Sequence, residues 1–361
     1  MAQKHRSPWQ IMWAKLRANR MAMAGLLVLA VLYVGAIFAG FLAPYNDTRQ
    51  FREDNWHPPQ LMDLHLWDDQ GTFHGPFVYG ERRVDDFLAE YEQDRTVIRE
   101  IDFLVRGDRY SLLGLVEVDL HLFGSADADH PVFLFGSDRY GRDLYTRILY
   151  GSRVSLSVGI IGILISMSLG MLIGGVAGYF GGKTDFILMR VVEVILAVPG
   201  LYMILTVRQA FGQGMSSTQS YFIMVLVLAF IGWAANARVI RGMVLAIKEN
   251  EYVTAAEALG LSRLRIVARH ILPNTLSFVI VTATLAVPYY ILGEVALSFI
   301  GVGIQEPDAS WGNMLREAQN VRYLTDYAWV VTPGFFIFFA VMAFNFLGDG
   351  LRDAADPRSL E

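Results

Sequence analysis

From Met21 to Ala43 the chain carries no charged residue, and further apolar runs recur at about 154–178, 186–207, 221–237, 276–302 and 327–348. A helix of some twenty apolar residues spans the roughly 30 Å of hydrocarbon in a bilayer. Lipid offers no partner to a backbone N–H or C=O, so runs of this kind cross a membrane as helices. Six of them in one chain make it a polytopic membrane protein, in keeping with 54% hydrophobic and only 18% charged residues. There is no cysteine, which excludes thiolate chemistry and a disulfide framework.

Residues 1–20 hold Lys4, Arg6, Lys15, Arg17 and Arg20 and no acid, which assigns the N-terminus to the cytoplasm. The first run is longer than a signal-peptide core and no small-residue cleavage site follows it, so it reads as an anchor. Six crossings return the C-terminus to the cytoplasm, and Lys4, Lys15, Lys183 and Lys248 then all fall on the inner side.

Residues 44–135 form a separate hydrophilic unit with eight arginines, no lysine and nineteen acids, a net charge of −11. That composition suits an extracytoplasmic insert. Val116, Val118, Leu120 and Leu122 alternate with polar residues, a strand signal. The stretch from Val84 to Ile98 is compatible with a helix, so a small α+β domain is expected. Its histidines, His57, His65, His74, His121 and His130, lack helical i, i+4 spacing and have no cysteine beside them, so no metal site is assigned.

Between two apolar runs lies Glu251–Pro273, with two acids, three arginines and a histidine. Tyr252, Ala255, Ala256 and Leu259 follow the spacing of one helical face. Gly260 is suited to close that helix, Ser262 to cap a second, and Pro273 to stop it. Ala256 and Gly260 leave the bend with little side-chain bulk, so a partner surface can approach. The competing reading is a helix lying on the membrane surface.

The second apolar run places Gly162, Ser166, Gly170, Gly174 and Gly178 at four-residue intervals, a stripe of small residues for close helix packing in lipid. Ala177–Thr184, AGYFGGKT, meets a relaxed phosphate-loop pattern, but a membrane helix precedes it and no buried strand does, so a tight turn is expected. Glu193 and Glu294 fall within apolar runs and are expected to face protein or a water-filled path, as pathway or gating residues or as inter-helix hydrogen-bonding groups. Pro199, Pro288 and Pro333 are expected to bend their helices.

The stretch 251–273 resembles the cytoplasmic loop of importer-type ABC permeases, with Ala255, Ala256, Gly260, Leu272 and Pro273 on its pattern and Thr254 and His270 departing from it. Ala255, Ala256, Leu259, Gly260 and Arg269 to Asn274 also match the form found in the oligopeptide and dipeptide branch. Gly136–Leu156 is similar to another mark of that branch, through Gly136, Asp138, Gly141, Arg142, Asp143, Arg147, Tyr150, Gly151, Arg153, Ser155 and Leu156. Asp138 and Asp143 there are expected to cap helices and pair with Arg139 and Arg142 rather than bind a cation. Ala296–Leu315 and Phe344–Arg358 look like further branch marks, so the resemblance covers about 136–358.

The resemblance implies an all-α polytopic membrane protein: six transmembrane helices of the type I ABC importer permease fold, with the α+β insert between the first two. The expected divisions are 1–43, 44–135, 136–350 and 351–361, with a coupling loop at about 241–275. It further implies a permease subunit of a bacterial importer of peptides in the plasma (inner) membrane. Such a subunit catalyses nothing and binds no cofactor, and ATP is used by two partner ATPase subunits. A homologous second permease, an extracytoplasmic substrate-binding protein and the lipid bilayer complete its partners, and no nucleic acid is involved. Its coupling residues would be Glu251, Tyr252, Ala255, Ala256, Leu259, Gly260, Arg263, Arg269, His270 and Pro273. A nickel complex or an oligosaccharide is the alternative cargo. A self-contained secondary transporter would carry inverted repeats and a midplane ion site, and neither is evident. A membrane enzyme would need reactive groups within the spans, yet His5 and His270 are the only histidines outside the insert.

Overall fold

The computed structural model describes residues 8–85, 89–112, 114–125, 130–211 and 216–355. Lys4, His5, Arg6 and the C-terminal residues from 356 on lie outside them. The chain opens with α1 (Pro8–Ala18) and α2 (Arg20–Ile37), and a single turn, α3 (Ala39–Leu42), follows. Asn19 separates the first two, its Oδ1 accepting from the Ala22 amide at 3.1 Å as a helix cap.

The hydrophilic stretch folds as an antiparallel meander of β1 (His65–Trp67), β2 (Phe73–Asp85), β3 (Glu90–Leu112) and β4 (Val116–Ser125). Val78, Ile101 and Phe123 form its core with Val132. The alternation at 116–122 lies in β4. The helix expected at Val84–Ile98 is absent from its described residues, which instead end β2 and begin β3. Val78, Tyr79 and Gly80 pair there with Arg99, Ile98 and Asp94, and burial against a partner strand overrides a weak helical pattern. Only two short 3₁₀ turns, Arg52–Asp54 and Leu61–Asp63, accompany the sheet among the described residues, so the expected α+β mixture is a β-meander there.

Then come α4 (Leu144–Phe180), α5 (Gly182–Ala197), α6 (Gly200–Phe211), α7 (Ser217–Ile247), α8 (Glu251–Ala258), α9 (Arg263–Ile266) and α10 (Leu272–Phe299). The chain closes with α11 (Trp311–Met314), α12 (Val321–Asp326) and α13 (Thr332–Ala355). Gly181 and Gly182, at φ +62° and +53°, turn the chain between α4 and α5, where the phosphate-loop pattern lies.

Five stretches among the described residues are long and apolar enough to cross a membrane: Arg20–Ile37, Leu144–Phe180, Ser217–Ile247, Arg263–Phe299 and Ala328–Ala355. The run at 186–207 is not one helix. Val198 is extended, at φ −81° and ψ 120°, because Pro199 disfavours helical backbone in the residue before it and brings no N–H. The three prolines expected to bend helices therefore differ: Pro199 separates two short helices, Pro288 lies inside α10, and Pro333 occupies the first turn of α13, where a missing N–H costs nothing. Pro273 does not stop its helix either. A π-helical turn at Val267–Ile271 carries α9 into α10, re-pairing the backbone around it.

The described chain forms two compact units: one from residues before 30 with 157–294 and those from 339 on, the other from 30–156 and 295–338. In the first, α4 packs through its small residues. A Cβ on Gly174 would lie 2.4 Å from the Ala237 carbonyl oxygen, one on Gly178 2.8 Å from that of Arg241, and one on Gly162 2.5 Å from the Tyr290 ring. A Cβ on Gly170 would meet Asn236 at 2.7 Å, and buried Ser166 accepts from Asn236 Nδ2 at 3.0 Å.

Candidate coupling site and the buried charge network

Glu251–Pro273 lies in the first unit. Asn250 precedes α8 in extended backbone, and its carbonyl accepts the Val253 amide at 2.9 Å. The far end closes as a Schellman motif: the Leu261 amide bonds the Ala256 carbonyl at 3.3 Å, and the Gly260 amide that of Glu257 at 2.9 Å. Gly260 has φ +76° and open space where a Cβ would be, so glycine serves the turn rather than a close approach within the chain. Ser262 precedes α9 in extended backbone but makes no side-chain cap.

Burial splits the predicted coupling residues. Of them Ala256 is buried, together with its neighbours Val253, Ile266, Val267 and Ile271. Ala256 faces its own fold, so it is not the bare contact point that its small size suggested. Glu251, Ala255, Arg263, Arg269 and Pro273 are exposed, His270 partly so. Large apolar side chains stand open beside them: Leu259 is 81% exposed, Leu264 64% and Tyr252 43%.

Side chains of α4 and α10 hold this pair of helices. Tyr179, at the end of α4, donates its hydroxyl to Glu257 Oε1 at 2.6 Å, and Asn274 Nδ2 donates to the Tyr252 hydroxyl at 3.2 Å and the His270 carbonyl at 2.6 Å. A cleft of about 410 Å³ opens beside them, lined by Tyr179, Phe180, Glu257, Leu261, Arg263 and Ile266. Nearby, Arg241 grips Asp185 through two bonds of 2.5 Å, a bidentate pair that ties α7 to α5. The two short helices are thus anchored to α4 and α10 and leave apolar side chains exposed.

The predicted pathway residues separate. Glu294 is fully buried in α10, six residues after Pro288. Glu193 lies on the chain's own surface, with Oε2 2.6 Å from Arg190 Nη1 one turn earlier. Sequence reasoning missed the polar groups deep in the first unit. Ser157 and Tyr221 hydroxyls lie 2.8 Å apart, and a Cβ on Gly232 would stand 2.1 Å from the Tyr290 hydroxyl. A tyrosine or asparagine inside an apolar run was the available signal.

The second unit joins Gly136–Leu156 to the loop before α11. Arg142 Nε donates to Asp138 Oδ2 at 2.6 Å, and its Nη1 pairs with Glu306 Oε2. Arg147 donates to the Asp47 carbonyl at 3.1 Å, the Pro307 carbonyl at 3.0 Å and Glu306 Oε2 at 3.3 Å. Asp138, Arg142 and Arg147 are buried. Asp143 caps α4 through the Thr146 amide at 2.8 Å, and burial pushes its carboxyl up to about 7. Arg139 turns away to Glu317, 3.2 Å off. The Trp311 indole donates to the Ile148 carbonyl at 3.1 Å, and its amide to Ser155 Oγ at 3.2 Å.

Five stretches able to cross a membrane, with an anchored polar loop between two of them, define a polytopic helical membrane protein. The family model of binding-protein-dependent transport system inner membrane components matches residues 170–360, and that of the N-terminal transmembrane domain of oligopeptide transport permease C matches 7–59. The dipeptide transport system permease protein DppC of Bacillus subtilis is 34% identical over 347 residues, covering 96% of this chain and 84% of that protein. The oligopeptide transport system permease protein OppC of Haemophilus influenzae is 38% identical over 242 residues, 67% of this chain and 76% of that protein. A putative peptide transport system permease protein of Brucella suis is 42% identical over 226 residues, 62% and 73% of the two chains. The chain belongs to the family of binding-protein-dependent transport system inner membrane components, permease subunits of ABC transporters that leave ATP hydrolysis to other subunits.

Proposed function

We propose that this chain is one of two permease subunits of an ATP-driven peptide importer in a bacterial plasma membrane, with both termini in the cytoplasm. The printed names of its relatives support peptides as cargo. The observation that carries coupling is the exposed apolar side of Leu259, Leu264 and Tyr252 on a platform anchored from behind. An ATPase subunit docks there, and a second ATPase docks on a homologous permease. Helices α5 and α6 together make the sixth crossing, parted at Pro199. The acidic sheet at 44–135 lies outside, where a substrate-binding protein delivers cargo. Glu294, Pro288 and Pro199 shape the path, and Glu193 faces the second permease. Alternating access follows: ATP draws the ATPases together, and the platforms carry that motion into the helices. The test is uptake of a labelled tripeptide by cells lacking and then regaining this gene. Restored uptake is expected; restoration of nickel or oligosaccharide uptake alone would sink the peptide assignment.

A further inference from the structure

Coupling uses the first unit and leaves the two buried-network stretches, Gly136–Leu156 and Ala296–Leu315, without a task. Beside their junction the second unit holds a cleft of about 480 Å³, lined by Arg139, Glu306, Arg316, Glu317, Gln319 and Tyr323 among others. That volume suits the end of a short peptide.

The charges around it do not balance. Arg142 and Arg147, behind the wall, share Asp138 and the lining Glu306, two cations against two anions. At the wall, Arg139 pairs with Glu317 at 3.2 Å, and burial pushes that carboxyl up to about 7, so near neutrality the pair is partly cationic. Arg316 is exposed, with no carboxylate within ion-pair distance among the described residues. Its guanidinium lies over Gly301, where a Cβ would come within 3.1 Å of Cζ and where φ is +80°. Glycine there both makes the turn and leaves the arginine its seat.

We propose that this cleft binds the C-terminal carboxylate of a short peptide, with Arg316 as the recognising fork and Arg139 as the second cation. A guanidinium presents paired N–H groups in the plane that a carboxylate accepts, which a point charge does not match. Gln319 donates Nε2 to the Phe299 carbonyl at 2.5 Å and keeps Oε1 as an acceptor for a peptide N–H. The Tyr323 ring, 4.8 Å from Trp56 between centroids, forms a fixed wall. An acidic side chain of a docked protein offers the same chemistry; the free peptide is favoured because about 480 Å³ holds more than one carboxylate. The proposal rests on the peptide-importer reading.

The experiment titrates trialanine and trialaninamide against the full-length chain purified with its partner subunits and without the binding protein, following tryptophan fluorescence. Trialanine should bind and the amide bind about ten- to hundredfold more weakly, the loss of one charge-assisted hydrogen bond. Arg316→Gln should erase that difference, and Arg316→Lys should keep part of it; an unchanged melting temperature in both excludes misfolding. Acetate should compete only at far higher concentration. Equal wild-type binding of acid and amide, a preference that survives Arg316→Gln, or acetate competing as well as trialanine would each overturn the assignment. Uptake by the complete importer is the separate arm. Peptide uptake with no carboxylate preference removes the cleft's role alone, whereas a carboxylate preference with no peptide uptake removes the importer reading alone.

Discussion

Around Asp138, Arg142 and Arg147 charge is buried, while at Leu259 and Leu264 apolar side chains stand open. Each region inverts the usual placing of side chains, and each inversion has its own reason. The buried charges are complete within the chain: every guanidinium there meets a carboxylate or a carbonyl. The exposed leucines have no partner surface in the chain, although the backbone that carries them is capped and anchored. A region finished in itself sets geometry; a region left apolar on a rigid frame awaits another protein.

The largest effect should come from breaking the finished region. Arg147→Leu strands Glu306 and Asp138 with one guanidinium between them, and removal of one partner from a buried pair costs about 3–5 kcal/mol. Thermal melting of the detergent-solubilised chain should fall sharply, and adding Glu306→Gln should recover part of the loss. A melting point that does not move would make the network ornamental. Next comes the α4 packing face. Gly174→Leu drives a side chain into the Ala237 carbonyl, 2.4 Å from its first carbon, at a cost of about 1–3 kcal/mol. Leu172→Ala, at a position 61% exposed, should change stability by less than about 0.5 kcal/mol. Equal losses from the two would mean that the small-residue stripe is not the packing surface.

A smaller effect separates buried charge from buried polarity in the sheet. His57 Nε2 lies 3.1 Å from Glu81 Oε2, and His57 Nδ1 faces the Pro58 carbonyl at 2.9 Å. Nδ1 carries the ring's proton to Pro58, so Glu81 must supply the other one. Burial pushes Glu81 up to about 7 and His57 down to about 4. A raised carboxyl adds stability at low pH that is lost as pH rises through about 7. A lowered imidazole removes stability as pH falls below its ordinary 6.5. The two slopes oppose, so the sheet's stability should be nearly flat between pH 5.5 and 7.5. Glu81→Gln keeps a donor toward Nε2 and removes one slope, so the closing equilibrium constant should fall by up to about tenfold per pH unit as pH falls from 6.5 to 5.5. Hydrogen exchange of the β2 and β3 amides reads this directly.

What was legible in the sequence follows from how local each signal is. Long apolar runs, the strand alternation at 116–122 and the glycine turn at 260 are set by neighbouring residues, and the chain displays them. Pro199 and Pro273 show the limit: each announces a break, yet one parts α5 from α6 and the other is absorbed by a π turn, a choice made by packing. The strands flanking residue 85 depended on partners in β2. The carboxylates at 138 and 143 were legible as capping and pairing groups, but the third member, Glu306, comes from a distant segment and carried no local sign. At 251–273 the motif was legible, and so were Tyr252 and Leu259 as its open apolar residues; the sides taken by Ala256 and Leu264 were not. Ala256 turned inward and Leu264 outward, because the continuous helix from α9 into α10 fixes which side is covered.

The comparison is tested most directly at the open region. Leu259→Asp with Leu264→Asp places two charges where burial of each leucine against an ATPase contributes about 1.5–3 kcal/mol. Both positions are exposed, so the melting temperature of the isolated chain should stay within the range of surface substitutions. In the reconstituted importer, substrate-stimulated ATP hydrolysis and ATPase co-purification should collapse, while Lys248→Ala leaves both intact. A double aspartate variant that melts normally and still couples hydrolysis to peptide would contradict the account.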